Sequence, residues 1–204
     1  MLERFRRFWT GLLSPVADLL LRMGVSPDAV TLVGTVGVCA GALIFFPRGQ
    51  LFVGVLVVTA FVFSDLIDGY MARASGRSSS WGAFLDSTLD RFGDAAIFAG
   101  LVLYFARYDD LLLASLALYC LVMGSVTSYA RARAESLGMQ ARIGVAERAD
   151  RLVAVLAMTG LSDLFGAPWL LTITLWVIAV ASTVTVLQRI IVVRRQALPR
   201  QSQA

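Results

Sequence analysis

Six stretches of this chain, at 27–46, 51–74, 81–106, 110–134, 150–166 and 168–193, are apolar over lengths near or above the ~20 helical residues needed to cross a hydrocarbon core. No other feature limits the fold so strongly. Inside a bilayer there is no water to satisfy an open N–H or C=O, so single segments of this length must be helical. Hydrophobic residues make up 58% of the 204, more than an ordinary soluble domain carries. The expected fold is all-α and integral to the membrane, with six transmembrane helices in one domain covering 1–204.

Arginine sets the orientation, because cytoplasmic loops retain an excess of basic residues. All 18 basic residues are arginine, and with the N-terminus inside only Arg48 and Arg107 fall on the outer side. Both termini are therefore expected in the cytoplasm. At the start of the chain Leu2, Phe5, Trp9, Leu12, Val16, Leu19 and Met23 step by three and four between charges, without the apolar run or cleavage site of a signal peptide. Residues 1–23 read as an amphipathic interfacial helix, or as a helix packed under the bundle, with Pro15 a break point in either case. Residues 196–204 read as a flexible cytoplasmic tail.

The absence of histidine removes histidine bases, triads and metal ligands. Cys39 and Cys120 lie far apart in apolar runs without a CxxC spacing, and read as packing thiols. Chemistry is left to carboxylates, hydroxyls and arginines. In DLIDGYMARASGRSSSWGAFLDSTLD (65–90), Asp65 and Asp68 are three apart on the second span, and Asp86 and Asp90 four apart on the third. Each pair projects from one helix face. A tight turn through ASGRSSS brings the two faces together near the cytoplasmic end of the bundle. Four clustered carboxylates repel unless compensated, and all-oxygen ligation suits Mg²⁺, Mn²⁺ or Ca²⁺. A two-ion site for phosphoryl transfer is the expected use. Two alternatives stand beside it: interfacial salt bridges to Arg73, Arg77 and Arg91, and the ion path of a cation channel or metal transporter.

The pattern Asp65-x2-Asp68-Gly69-x2-Ala72-Arg73-x8-Gly82-x3-Asp86-x3-Asp90 resembles the signature of the CDP-alcohol phosphotransferase family, integral membrane enzymes of phospholipid synthesis. The resemblance implies direct transfer of a phosphatidyl group from CDP-diacylglycerol to an alcohol, with release of CMP, at a bacterial inner (plasma) membrane. It implies Asp65, Asp68, Asp86 and Asp90 as ligands of Mg²⁺, two ions with Mn²⁺ as a substitute, and Asp90 also as general base. Gly69 and Arg73 match positions that receive the cytidine diphosphate, and the stretch Asp28, Ala29, Val30, Thr31 matches one near the donor's diphosphate. Where Asp28 stands, many members carry asparagine. Ser26 and Pro27 equally suit a helix start, and Ser79 is either a donor contact or a turn residue. The family also implies a homodimer, for which Gly37-x3-Gly41 offers a close-packing face unless it packs within one subunit. No nucleic-acid partner is expected.

The aspartate signature does not specify the alcohol, so the arginines must. Arg131, Arg133, Arg148, Arg151 and Arg189 come to the cytoplasmic ends of three spans, and a basic pocket there suits an anionic acceptor. Arg131 and Arg133, two apart, cannot share a helix face. Each arginine separately also fits positive-inside topology or anionic-lipid contact. The run SYxxARAE, then ERxxR, then QR is similar to the phosphatidylinositol-phosphate synthase branch of the family. That likeness implies an inositol phosphate acceptor (1D-myo-inositol 3-phosphate), with Arg131, Arg151 and Arg189 leading and Arg133 and Arg148 behind. A glycerol 3-phosphate acceptor is the enzymatic alternative.

Overall fold

The computed structural model describes residues 14–76 and 79–198, apart from the side chain of Asp65. Helix α1 (14–22) leads into α2 (Pro27–Phe45), a 3-10 turn (Phe46–Arg48), α3 (Leu51–Val62), α4 (Ser64–Ala74), α5 (Ser80–Arg107), α6 (Leu111–Ser136), α7 (Arg148–Leu164) and α8 (Trp169–Ala197). No strand occurs among the described residues.

Among the described residues, four helical segments are long and apolar enough to cross a membrane: Pro27–Arg48, Leu51–Ala74, Leu111–Ser136 and Trp169–Ala197. Between 24% and 39% of their most apolar stretches is buried inside the protein. Large side chains such as Leu32, Val36, Leu56 and Val177 point outward, an apolar surface that belongs in lipid. The chain is a multi-pass membrane protein. Of the two other expected spans, α5 has the length but carries Asp86, Asp90, Arg91 and Asp94 in its first fifteen residues, and α7 has 17 residues.

At the centre, α2 packs on α3, α4 and α5 through a stripe of small residues. A methyl group on Gly37 would lie 2.2 Å from the Phe61 ring of α3, so Gly37 and Gly41 bring helices of one chain together. The second span divides at Phe63 without a proline. Ser64 sits at the break, so close to α2 that a methyl on Gly34 would be 1.8 Å from Ser64 Oγ. Phe46, Val58, Ile97, Leu101 and Leu175 fill the core.

The helices alternate between two ends. At one, Asp163 accepts from the Phe52 N–H at 2.7 Å, and Arg107 donates to the Pro47 carbonyl at 3.3 Å. The other gathers the starts of α2, α5 and α7 and the ends of α4, α6 and α8. There Ala17 of α1 is fully buried, Tyr70 donates to Asp18 at 3.3 Å, and Val16, Leu19 and Met23 remain exposed. The rest of the amphipathic pattern, residues 1–13, and the tail from 199 onward lie outside the described residues.

Candidate active site

At this second end a cleft of about 340 Å³ opens between α2, α4 and α5. Helix starts shape two of its walls. Ser26 caps α2, accepting from the Ala29 N–H at 3.2 Å with Pro27 following, and this sets Asp28 and Thr31 on the cleft side. Ser79 caps α5 by accepting from the Gly82 N–H at 3.0 Å, and both residues line the cleft. The third wall comes from α4, whose Asp68, Gly69 and Arg73 share one face. Asp86 of α5 closes the set. Seven expected site residues, Asp28, Thr31, Asp68, Gly69, Arg73, Ser79 and Asp86, thus meet in one place. Ala29 and Val30 are not among the lining residues, Ala29 being exposed and Val30 half-buried.

Asp68 is 7% exposed, and its carboxylate accepts from the Thr31 hydroxyl. Among the described residues, neither it nor Asp86 has an ion-pair partner. A buried carboxylate needs a compensating charge, and hard oxygen donors fit a divalent cation. No group of three or more acids or thiols converges among the described residues; the Asp65 carboxylate, like Arg77, lies outside them. Trp81, which sequence reasoning passed over, donates its indole N–H to Asp28 at 3.1 Å across the cleft mouth.

Asp90 stands beside the cleft rather than on its lining. It borders a smaller cavity with Thr35, Gly93 and Arg148. Its Oδ1 lies 2.9 Å from Arg148 Nη2 and its Oδ2 3.7 Å from Arg91, so of the salt bridges considered the one to Arg91 is formed. Arg148 is the first residue of α7, whose start is fixed by a capping box between Glu147 and Asp150.

The arginines separate into two groups. Arg148 and Arg151, three apart on α7, point toward α5 and α6, where Arg151 is 4% exposed and donates to the Ala146 carbonyl at 3.0 Å. Arg189, 3% exposed, donates to the carbonyls of Thr127 and, at 2.9 Å, Ile143. These buried guanidiniums tie the 137–147 loop to the bundle. Arg131 pairs with Glu135 at 3.1 Å while Arg133 turns to Ser136, so the two point apart as their spacing requires. Cys39 and Cys120 are free thiols, each directed at a backbone carbonyl.

The model of the CDP-alcohol phosphatidyltransferase family matches residues 24–145, which include all four signature aspartates. The phosphatidylinositol phosphate synthase of Streptomyces avermitilis is 52% identical, over 96% of this chain and 84% of its own length. That of Cutibacterium acnes is 51% identical, over 96% and 98%. Among solved structures, the phosphatidylinositol phosphate synthase of Mycobacterium tuberculosis in complex with manganese and citrate superposes with a TM-score of 0.85 at 44% identity over 88% of each chain. The same enzyme with CDP-DAG bound gives 0.84 at 43% identity, over 92% of this chain and 94% of that one.

Proposed function

This chain belongs to the CDP-alcohol phosphatidyltransferase family, and from that premise we propose that it transfers the phosphatidyl group of CDP-diacylglycerol to inositol 1-phosphate (1D-myo-inositol 3-phosphate), releasing CMP and phosphatidylinositol phosphate. The observation that carries the reading is the cleft itself, which draws seven signature and donor residues from α2, α4 and α5 to a single opening.

Donor binding follows from the walls. Arg73 offers a planar fork to the diphosphate, and the N-terminal turns of α2 and α5, the positive ends of their helix dipoles, line the same space. Gly69 leaves room for the nucleotide to approach the helix backbone. Asp65, Asp68, Asp86 and Asp90 would hold two Mg²⁺ ions, with Mn²⁺ as substitute. When bound, the ions would supply charge neutralisation at the diphosphate. Asp90 takes the proton from the acceptor hydroxyl as that oxygen attacks the phosphatidyl phosphorus, and the phosphorus–oxygen bond to CMP breaks. Arg148 beside Asp90, with Arg131, Arg151 and Arg189, forms the acceptor-phosphate wall, Arg133 lying at its outer edge. Arginine suits this duty because it stays charged.

In the membrane, α5 and α7 complete six spans, α1 lies at the interface, and the arginine-rich end faces the cytoplasm of the bacterial inner membrane. The working unit is a homodimer. The direct test is CMP release by purified protein in lipid nanodiscs with CDP-diacylglycerol and Mg²⁺, supplied separately with inositol phosphate, glycerol 3-phosphate or free inositol. Release that depends on inositol phosphate is expected. Release with glycerol 3-phosphate instead overturns the acceptor, and silence with all three overturns the transferase.

A further inference from the structure

One acid of α5 lies beyond the signature. Asp94 is one helical turn past Asp90, is 9% exposed, and is the focus of two arginines. Both its oxygens accept from Arg148 Nε, at 3.0 and 3.2 Å, and Arg91 Nη1 lies 3.3 Å from Oδ2. The same Arg148 touches Asp90 through Nη2, at 2.9 Å, and Arg91 also reaches Asp90 while donating to Ser128 of α6. One guanidinium therefore links two carboxylates a turn apart, its Nε edge on Asp94 and one tip on Asp90. Its other tip, Nη1, makes no hydrogen bond among the described residues. Arg148 also borders two small cavities, one shared with Asp90 and the other with Gly124, Ser125 and Arg151.

We propose that Asp94 is a positioning residue for the transfer reaction: it clamps Arg148 by the Nε edge so that the guanidinium stands over Asp90 with a free tip for the acceptor's phosphate. The inference rests on the acceptor reading above. Its physical basis is charge balance in a closed space. Asp90 and Asp94 together match Arg91 and Arg148, so neither arginine has to fold wholly onto Asp90 and occupy the oxygens that the hydroxyl proton needs. With the Nε edge removed from choice, the remaining N–H groups take a fixed direction, and binding the phosphate there sets the acceptor hydroxyl at the base. Without Asp94, both arginines collapse onto Asp90.

The experiment compares wild type with Asp94→Asn, Asp94→Glu, Arg148→Gln and the Asp94→Asn/Arg148→Gln double variant in nanodiscs. Calorimetry reads inositol phosphate binding and CMP binding, and steady-state turnover reads both KM values. Asp94→Asn is expected to weaken inositol phosphate at least about tenfold while CMP affinity and the CDP-diacylglycerol KM move by less than about twofold. The double variant is expected to be no more than about twofold worse than Arg148→Gln alone, since the two side chains act as one unit. If Asp94→Asn fails to fold, Asp94→Glu, which keeps the charge but moves it, is expected to lose acceptor affinity at least about threefold with CMP binding retained. Unchanged acceptor binding, an equal loss for CMP, or multiplying effects in the double variant overturns the proposal. Wild type that binds inositol phosphate but does not turn it over counts against the functional reading, and Asp94 is then judged on binding alone. Wild type that does not bind it overturns both.

Discussion

Gly69 separates a cleft shaped for a ligand from a gap in packing. A methyl group built on Gly69 meets Arg73 Nη1 at 3.5 Å and Nη2 at 3.9 Å, ordinary contact with the movable end of a side chain. The protein has room for it. Alanine is also the better helix former, by up to about 1 kcal/mol, so Gly69→Ala should leave the thermal midpoint unchanged or raise it slightly. The methyl nevertheless enters the cleft, where overpacking against a seated donor costs about 1–3 kcal/mol, or roughly a 5- to 150-fold loss in affinity. Gly37→Ala gives the opposite signature. Its methyl would lie 2.2 to 2.5 Å from three atoms of the Phe61 ring, so stability falls by about 1–3 kcal/mol while donor affinity in the folded fraction holds. CMP titration and thermal unfolding in the same detergent read both quantities. Gly69→Ala with wild-type affinity for CMP and CDP-diacylglycerol would refute the assignment of this cleft to the donor.

Three other outcomes follow from the geometry. Trp81→Phe removes the indole N–H that holds Asp28 while keeping an aromatic ring; because Trp81 is exposed, the donor KM should rise only about two- to fivefold, with kcat unchanged in steady-state assays. Asp90→Asn should lower kcat by at least about 10²-fold, with CMP affinity by calorimetry nearly unaltered. Arg189→Ala strips charge-assisted hydrogen bonds from two carbonyls and should cost about 3 kcal/mol in thermal unfolding besides weakening the acceptor, whereas Arg131→Ala, which removes a half-exposed pair with Glu135, should weaken the acceptor alone.

The cleft proposed for the donor was legible in the sequence because its geometry is local. Aspartates three and four apart must share a helix face, and Ser26-Pro27 is a cap signal that decides which way Asp28 and Thr31 turn, whereas Ser79, read as a donor contact or a turn residue, proves also to cap α5. Among the described residues, four of the six expected spans were legible from apolar length; α5 departs from that rule because Asp86, Asp90, Arg91 and Asp94 interrupt its apolar run, and α7 because it is short. The division at Phe63 follows from the approach of Ser64 to Gly34, thirty positions away in the chain and carried by no local motif. The surroundings of the arginines proposed for the acceptor were less readable for a similar reason. Arg151 and Arg189 are held by carbonyls of the 137–147 loop and α6, whose paths no spacing of arginines reveals. Asp94 left one trace: it continues the four-residue step of Asp86 and Asp90, and a third acid on that face calls for a basic partner.

The claim beneath all of this is that acids of α4 and α5 share divalent ions beside the nucleotide. Anomalous scattering from crystals grown with Mn²⁺ and CMP tests it most directly. The account predicts manganese peaks among Asp65, Asp68, Asp86 and Asp90, lost in Asp68→Asn crystals. Nucleotide seated in the cleft with no manganese at these carboxylates would contradict it.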